Sequence, residues 1–162
     1  WGRKNMDINV IDAEQVNENH LKQFRDLHVK ASGRVTRSAS SWKCQLDLVR
    51  NREAFIVFGR IEGELISAAL FLHSKDYCYY GVSASRRELF DRPISHCLLW
   101  QAILHAQELK CVSFDFAGQN FPSESPAPSE KLMKISKFKR GFGGSTMMQL
   151  DITLNSTIIV PG

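Results

Sequence analysis

Residues 138 to 144 read Phe-Lys-Arg-Gly-Phe-Gly-Gly, a combination able to bring fixed positive charge against a ligand. Lys139 and Arg140 supply the charge where a helical pattern gives way to a strand. Gly141, Gly143 and Gly144 permit positive φ and let the backbone approach a ligand or another strand closely. The segment 128–140 sets Lys131, Lys134, Lys137, Lys139 and Arg140 against Glu130 alone, a balance of +4. The whole 162-residue chain is also +4, so the remainder is close to neutral. The basic character is local, and local charge points to a site. The competing explanation is a solvated helix end, where lysines favour the C-terminal dipole.

The chain has the length of one domain with a single sizeable core, residues 1–162. At 43% hydrophobic and 23% charged it has ordinary globular composition. No apolar run approaches the ~18 residues of a membrane span. Cys44, Cys78, Cys97 and Cys111 are far apart with no C-x-x-C spacing, so they read as buried free thiols of a reducing, cytoplasmic protein. The five histidines make no metal-ligand pattern with them, and zinc is not expected. A chain that opens Trp1-Gly2-Arg3 rather than with Met reads as a fragment or processed form.

The elements that must position the chemistry follow from periodicity. Residues 7–12 alternate as a short strand. Asn17 caps a helix with Leu21, Phe24, Leu27, His28 and Ala31 on one face, ended by Gly33. A second helix starts near Ser40 or Ser41 with Trp42, Leu46 and Val49 on its stripe. Residues 54–60, 64–73 and 77–83 form an antiparallel meander, turning at Glu62-Gly63 and at Ser74-Lys75-Asp76. Asp91 and Pro93 open the longest helix, to about Leu109. Residues 111–116 form a strand and 118–128 a loop. A short helix spans about 129–137, and 146–153 form a last strand. The fold class is mixed α+β, a largely antiparallel sheet of about six strands flanked by about four helices, with a parallel pair across the long helix.

Tyr79-Tyr80-Gly81, Leu98-Leu99-Trp100-Gln101-Ala102-Ile103, Phe114-Asp115-Phe116-Ala117-Gly118, and Phe138-Lys139 followed by Phe142-Gly143-Gly144 carry a family likeness. Together with the element order, they resemble the GNAT superfamily of acyl-CoA-dependent N-acyltransferases. Within it they are similar to the Fem-type branch, whose members add amino acids to peptidoglycan precursors. The likeness covers about residues 20–153. Fem-type transferases usually pair two such domains; this chain has length for one and most resembles the second. Residues 81–88 read Gly-Val-Ser-Ala-Ser-Arg-Arg-Glu, with one glycine instead of the glycine-spaced phosphate loop of acetyl-CoA-dependent relatives.

The resemblance implies roles. Lys139 faces the donor–acceptor cleft and stabilises the oxyanion that forms when an amine attacks an ester or thioester. Tyr80 protonates the leaving group, with Tyr79 pointing to the other face of the strand. His96, one turn before Trp100 on the same helix face, acts as general base. Asp115 either orients the amine or bonds the loop that follows. Arg86 and Arg87 sit where the donor pyrophosphate lies, beside helix N–H groups. Ser95 caps the helix or bonds substrate, Gln119 lies past a strand end, and Lys137 and Arg140 attract a phosphate-bearing molecule. The implied reaction is direct transfer of an acyl or aminoacyl group from acyl-CoA or aminoacyl-tRNA to a small-molecule or peptide amine, with no permanent cofactor. The partners implied are tRNA as donor and a second GNAT-like domain or a homodimer. A binding module of the same fold without catalysis is the alternative, and a nucleic-acid binder using residues 131–140 is a further one.

Overall fold

The computed structural model describes residues 1–148 and 153, in two compact units, one of residues 1–117 and one that begins at Gly118. The first unit opens with a one-turn helix, α1 (Gly2–Asn5), which the sequence pattern does not announce, and β1 (Asp7–Ile11). Helices α2 (Glu18–Ser32) and α3 (Ala39–Arg50) follow, then β2 (Ala54–Ile61), β3 (Glu64–His73) and β4 (Tyr77–Ser85). A short 3-10 turn at Arg87–Leu89 leads to α4 (Ile94–Glu108) and β5 (Ser113–Asp115). The second unit contributes α5 (Glu130–Arg140).

The helices begin where their caps dictate. The Asn17 side chain accepts hydrogen bonds from the Asn19 and His20 N–H groups, and Gly33 closes α2 in the left-handed region at φ 74°. Ser38 caps α3 and Ser129 caps α5 in the same manner. The α4 helix differs from expectation: Pro93 occupies its cap position and offers no side-chain bond. Asp91 and Pro93 therefore precede the helix. Lys139 and Arg140 belong to the last turn of α5 and do not lie in the turn beyond it, and Gly141 has an ordinary φ of −63°. Positive φ is confined in this region to Gly143 and Gly144.

Five strands make one sheet in the order β1-β2-β3-β4-β5, antiparallel except for the parallel pair β4 and β5. The hairpin between β2 and β3 turns at Glu62-Gly63, both at positive φ, the conformation that matches strand twist. The expected last strand is not seen in residues 146–148 or 153, and 149–152 lie outside the described residues.

Two cores hold the sheet. On one face Phe24, Leu27, Trp42 and Val49 of α2 and α3 cover Ile56, Phe58, Ala68 and Leu70. Phe24 meets Trp42 and Phe58 edge-on at 5.3 and 6.3 Å. On the other face α4 buries Leu98, Leu99, Ala102 and Ala106. Gly59 lets α4 come close, since a Cβ there would lie 2.7 Å from Leu98 Cδ1.

Two stability predictions follow from the α2–α3 layer. Asn17→Ala leaves two helix N–H groups uncapped and should cost about 1 kcal/mol in urea unfolding. His20 and His28 are held below their ordinary value of 6.5, chiefly by burial and next by Arg60 and Arg37 respectively. The unfolded chain therefore binds protons that the folded one refuses. Stability should be full above pH ~6.5 and fall as the pH drops below it, a loss that His20→Gln/His28→Gln should blunt in pH-resolved urea midpoints.

Candidate functional site

The parallel ladder between β4 and β5 is three residue pairs long: Tyr77 with Ser113, Cys78 with Phe114, Tyr79 with Asp115. There β5 ends, while β4 continues to Ser85 against β3. Among the described residues no strand pairs with the other edge of that extension. An opening flanked by backbone donors and acceptors begins at Tyr80.

A bulge sits at its mouth. Ala69 faces Ser83 and Phe71 faces Tyr80, so two steps along β3 meet three along β4. Gly81 is the residue that allows it, because a Cβ there would meet Leu72 Cδ1 at 2.8 Å and the Leu70 carbonyl at 3.3 Å. The bulge exchanges the faces of β4: Cys78 and Tyr80 face α4 before it, whereas Val82 and Ala84 join the α2–α3 core after it.

Tyr80 stacks on Phe71 at 5.4 Å, and Phe71 in turn stacks on Phe55 at 5.2 Å. Its hydroxyl donates to Ser83 Oγ at 2.7 Å. Burial raises its pKa, with the Ser83 bond opposing, so the phenol stays protonated at neutral pH. Tyr79 points to the opposite face and is exposed.

At the far end of β4 three hydroxyls run in series. Ser67 Oγ lies 2.6 Å from Ser85 Oγ, which lies 3.3 Å from Ser95 Oγ in the first turn of α4. The N-terminus of α4 has no side-chain cap; the Ile94 N–H donates to the Arg92 carbonyl at 2.8 Å, which leaves those of Ser95 and His96 to meet an anion. Of the two neighbouring arginines, Arg86 is committed: it bridges Glu64 and Glu88, and its N–H donates to the Ile66 carbonyl. Arg87 is exposed on the 3-10 turn. His96 is exposed on the outer side of α4 together with Trp100.

Asp115 lies across the sheet from Tyr80, as the alternation of Phe114, Asp115 and Phe116 predicts. Its carboxylate accepts hydrogen bonds from the Tyr77 hydroxyl and from the Ala117 N–H, the latter at 2.6 Å. It binds the chain that leaves β5, and the bond to its carboxylate is the main reason the Tyr77 phenol is pushed up to about 12.

In the second unit Lys139, Arg140 and Gln119 collect around one face of α5. The Lys139 ammonium donates to the Gly118 carbonyl at 2.8 Å, Arg140 to Gln119 Oε1 at 3.4 Å, and the Asn120 N–H to the buried Ser136 Oγ at 2.9 Å. Positions 136, 139 and 140 share a helix face, so this set ties the loop start to the helix. Lys137 is exposed. Phe138 and Phe142 pack edge-on at 5.4 Å.

The structure thus gathers Tyr80, Ser95 and the Arg86–Arg87 turn along β4 and the start of α4. It sets Asp115 on the other face. Sequence reading missed Ser67, Ser85 and the bulge. A lone glycine between a tyrosine pair and a valine was the available signal for the bulge.

A family model described as an acetyltransferase (GNAT) domain matches residues 9–125. The chain belongs to this family. No curated protein matches it. Solved structures with this architecture include an aminoglycoside acetyltransferase, meta-AAC0020, from an uncultured soil metagenomic sample in complex with sisomicin. It is 10% identical at a TM-score of 0.69, over 97% of this chain and 99% of that one. A ribosomal-protein-alanine N-acetyltransferase from Brucella melitensis biovar Abortus 2308 is 11% identical at 0.63, over 93% and 99%. The aminoglycoside N-acetyltransferase AAC(6')-Iy, in complex with CoA, is 11% identical at 0.67, over 94% and 95%. At such identities the likeness is one of fold, and the GNAT architecture is the fold of this chain.

The serine chain generates a stability prediction. Ser85→Ala leaves the buried Ser67 hydroxyl unpaired and should cost about 1–3 kcal/mol. Ser67→Ala/Ser85→Ala removes both partners and should be less damaging than Ser85→Ala alone, by urea unfolding.

Proposed function

We propose that this protein is an N-acyltransferase that moves an acyl group from a CoA thioester to an amine by direct attack. The observation that carries the reading is the opening of β4 from β5 beside the Gly81 bulge, with the uncapped start of α4 at its far end. A thioester laid along the unpaired edge of β4 would find backbone hydrogen-bonding groups for its amide-rich arm. The first-turn N–H groups of α4, Ser95 and Arg87 would meet its phosphates.

The steps are few. The amine nitrogen attacks the thioester carbonyl carbon, the C–S bond breaks as the tetrahedral intermediate collapses, and an amide and a thiol result. Tyr80 gives its phenolic proton to the departing thiolate, which its protonated state at neutral pH permits. The proton lost by the amine leaves to solvent through the opening, since His96 stands on the outer side of α4 and the Asp115 carboxylate is held by the Tyr77 hydroxyl and the Ala117 N–H. Arg86 holds the turn in place, and Arg87 supplies the charge to the donor.

A Fem-type aminoacyl-tRNA donor is the second reading. It is favoured by the cations that α5 leaves exposed, among them Lys131 and Lys137, and it assigns Lys139 to the oxyanion. It also implies a second GNAT-like domain or a second copy to complete the acceptor cleft.

The test is thiol release from acetyl-CoA in the presence of primary amines, with aminoacyl-tRNA run in parallel. Release with acetyl-CoA supports the first reading. Transfer from aminoacyl-tRNA alone, weakening steeply with salt, would replace it with the second. Tyr80→Phe keeps the ring on Phe71 and should lower kcat by about 100-fold with an unchanged fold. Undiminished turnover would remove Tyr80 from the mechanism.

A further inference from the structure

At the other end of β4 from the α4 N-terminus lies an open depression of about 790 Å³ that the transfer mechanism does not use. It sits where α3 runs into β2 and where the hairpin joins β3 to β4, wholly within the first unit. Leu48 and Leu72 form its apolar wall, and the rings of Tyr77 and Tyr79, two residues apart on one strand, form an aromatic one. The Tyr77 ring is pinned through its hydroxyl to Asp115, so one half of that platform is set before any ligand arrives.

The charges around it are arranged. Arg52 and Lys75 line the depression with Glu53 as the one acidic side chain. Arg52 is unusual in its backbone. Its N–H donates to the Val49 carbonyl and that of Glu53 to the Leu48 carbonyl, the paired bonds that close a helix with one left-handed residue. That residue is Arg52, at φ 62°, where glycine is the unstrained choice. The fold accepts a strained backbone and gains a guanidinium at the rim. Its present partner, Glu14 at 3.3 Å, is an exposed pair that contributes little and yields easily to a ligand.

We infer that this depression seats the body of the acceptor, a short peptide whose C-terminal carboxylate meets Arg52 and Lys75 while its chain lies on Tyr77 and Tyr79. The assignment rests on the N-acyltransferase reading for the fate of the amine. Tyr77 and Tyr79 face away from Tyr80, so the amine reaches the thioester through the opening beyond the end of β5; from Tyr79 to the bulge at Gly81 is two strand residues, about 7 Å along β4. The amine must therefore stand at least that far from the carboxylate. A free α-amino acid carries both on one carbon and cannot span the gap; two or three peptide residues, at about 3.5 Å each, can. Glu53 disfavours a ligand that is anionic throughout.

The experiment is calorimetric titration of the whole protein with the tripeptide Gly-Gly-Phe and with its C-terminal amide. The acid should bind about tenfold more tightly than the amide, as expected for one charge-assisted contact. Arg52→Gly and Lys75→Ala should each shrink that ratio, and Arg52→Gly should do so with a melting temperature at or above wild type, because glycine relieves the left-handed strain. Equal binding of acid and amide by the wild type, a ratio untouched by both substitutions, or no binding of either peptide overturns the assignment. Acetyl-CoA binding and thiol release are read separately on the wild type. Acetyl transfer to simple amines without peptide discrimination keeps the transferase and removes the peptide seat. Peptide discrimination without acetyl-CoA binding keeps the peptide pocket and removes the transferase.

Discussion

The arrangement depends on one strand serving two neighbours unequally. β4 pairs with β3 from His73–Cys78 to Ser67–Ser85, but with β5 over only three residues. Backbone groups on the far edge of β4 would be paired by a longer β5, and among the described residues no strand takes its place. Two local features enforce the separation. The extra residue at Gly81 bends β4 away, and Asp115 catches the Ala117 N–H so that the chain leaves β5 in a fixed direction. Ala117 itself is at φ 62°, a left-handed corner that the Asp115 bond helps to hold.

Around that opening, most charge is spent on structure. Arg86 between Glu64 and Glu88 fixes the exit from β4, and the Ser67–Ser85–Ser95 series joins β3, β4 and α4 through hydroxyls. On the proposed reading, the groups that meet the donor are first-turn N–H groups of α4, Arg87 and the edge of β4. Tyr80 combines both roles, its ring continuing an aromatic stack from Phe55 through Phe71 and its hydroxyl emerging beside the bulge. A hydroxyl whose ring is held by stacking keeps its geometry when it changes partner.

Caps and periodicity made much of the fold legible. Asn17, Gly33 and the serine ahead of the second helix act over one turn, so their effect is written in adjacent residues. The meander was legible because its turns are short and two of its strands are continuous apolar runs, buried on both faces. Boundaries failed where a cap was absent: with no side chain to stop it, α4 starts at Ile94 past Pro93, and α5 runs on through Lys139 and Arg140 to Gly141.

The sequence by itself determined the helices from α2 to α5, the order of the meander, the family, and the opposite facing of Tyr79 and Tyr80, because each is written in runs of neighbouring residues, whereas it announced neither α1 nor the absence of a strand at 146–148. Which polar side chains meet was decided only by the tertiary structure. Ser67 and Ser85 are eighteen positions apart, Tyr77 and Asp115 thirty-eight, and Lys139 and Gly118 twenty-one. Those pairings arise from strand register and helix crossing, which set distances that no local pattern encodes. The charge of Lys139 could be read from its residue type; its hold on a loop carbonyl required the helix to be packed.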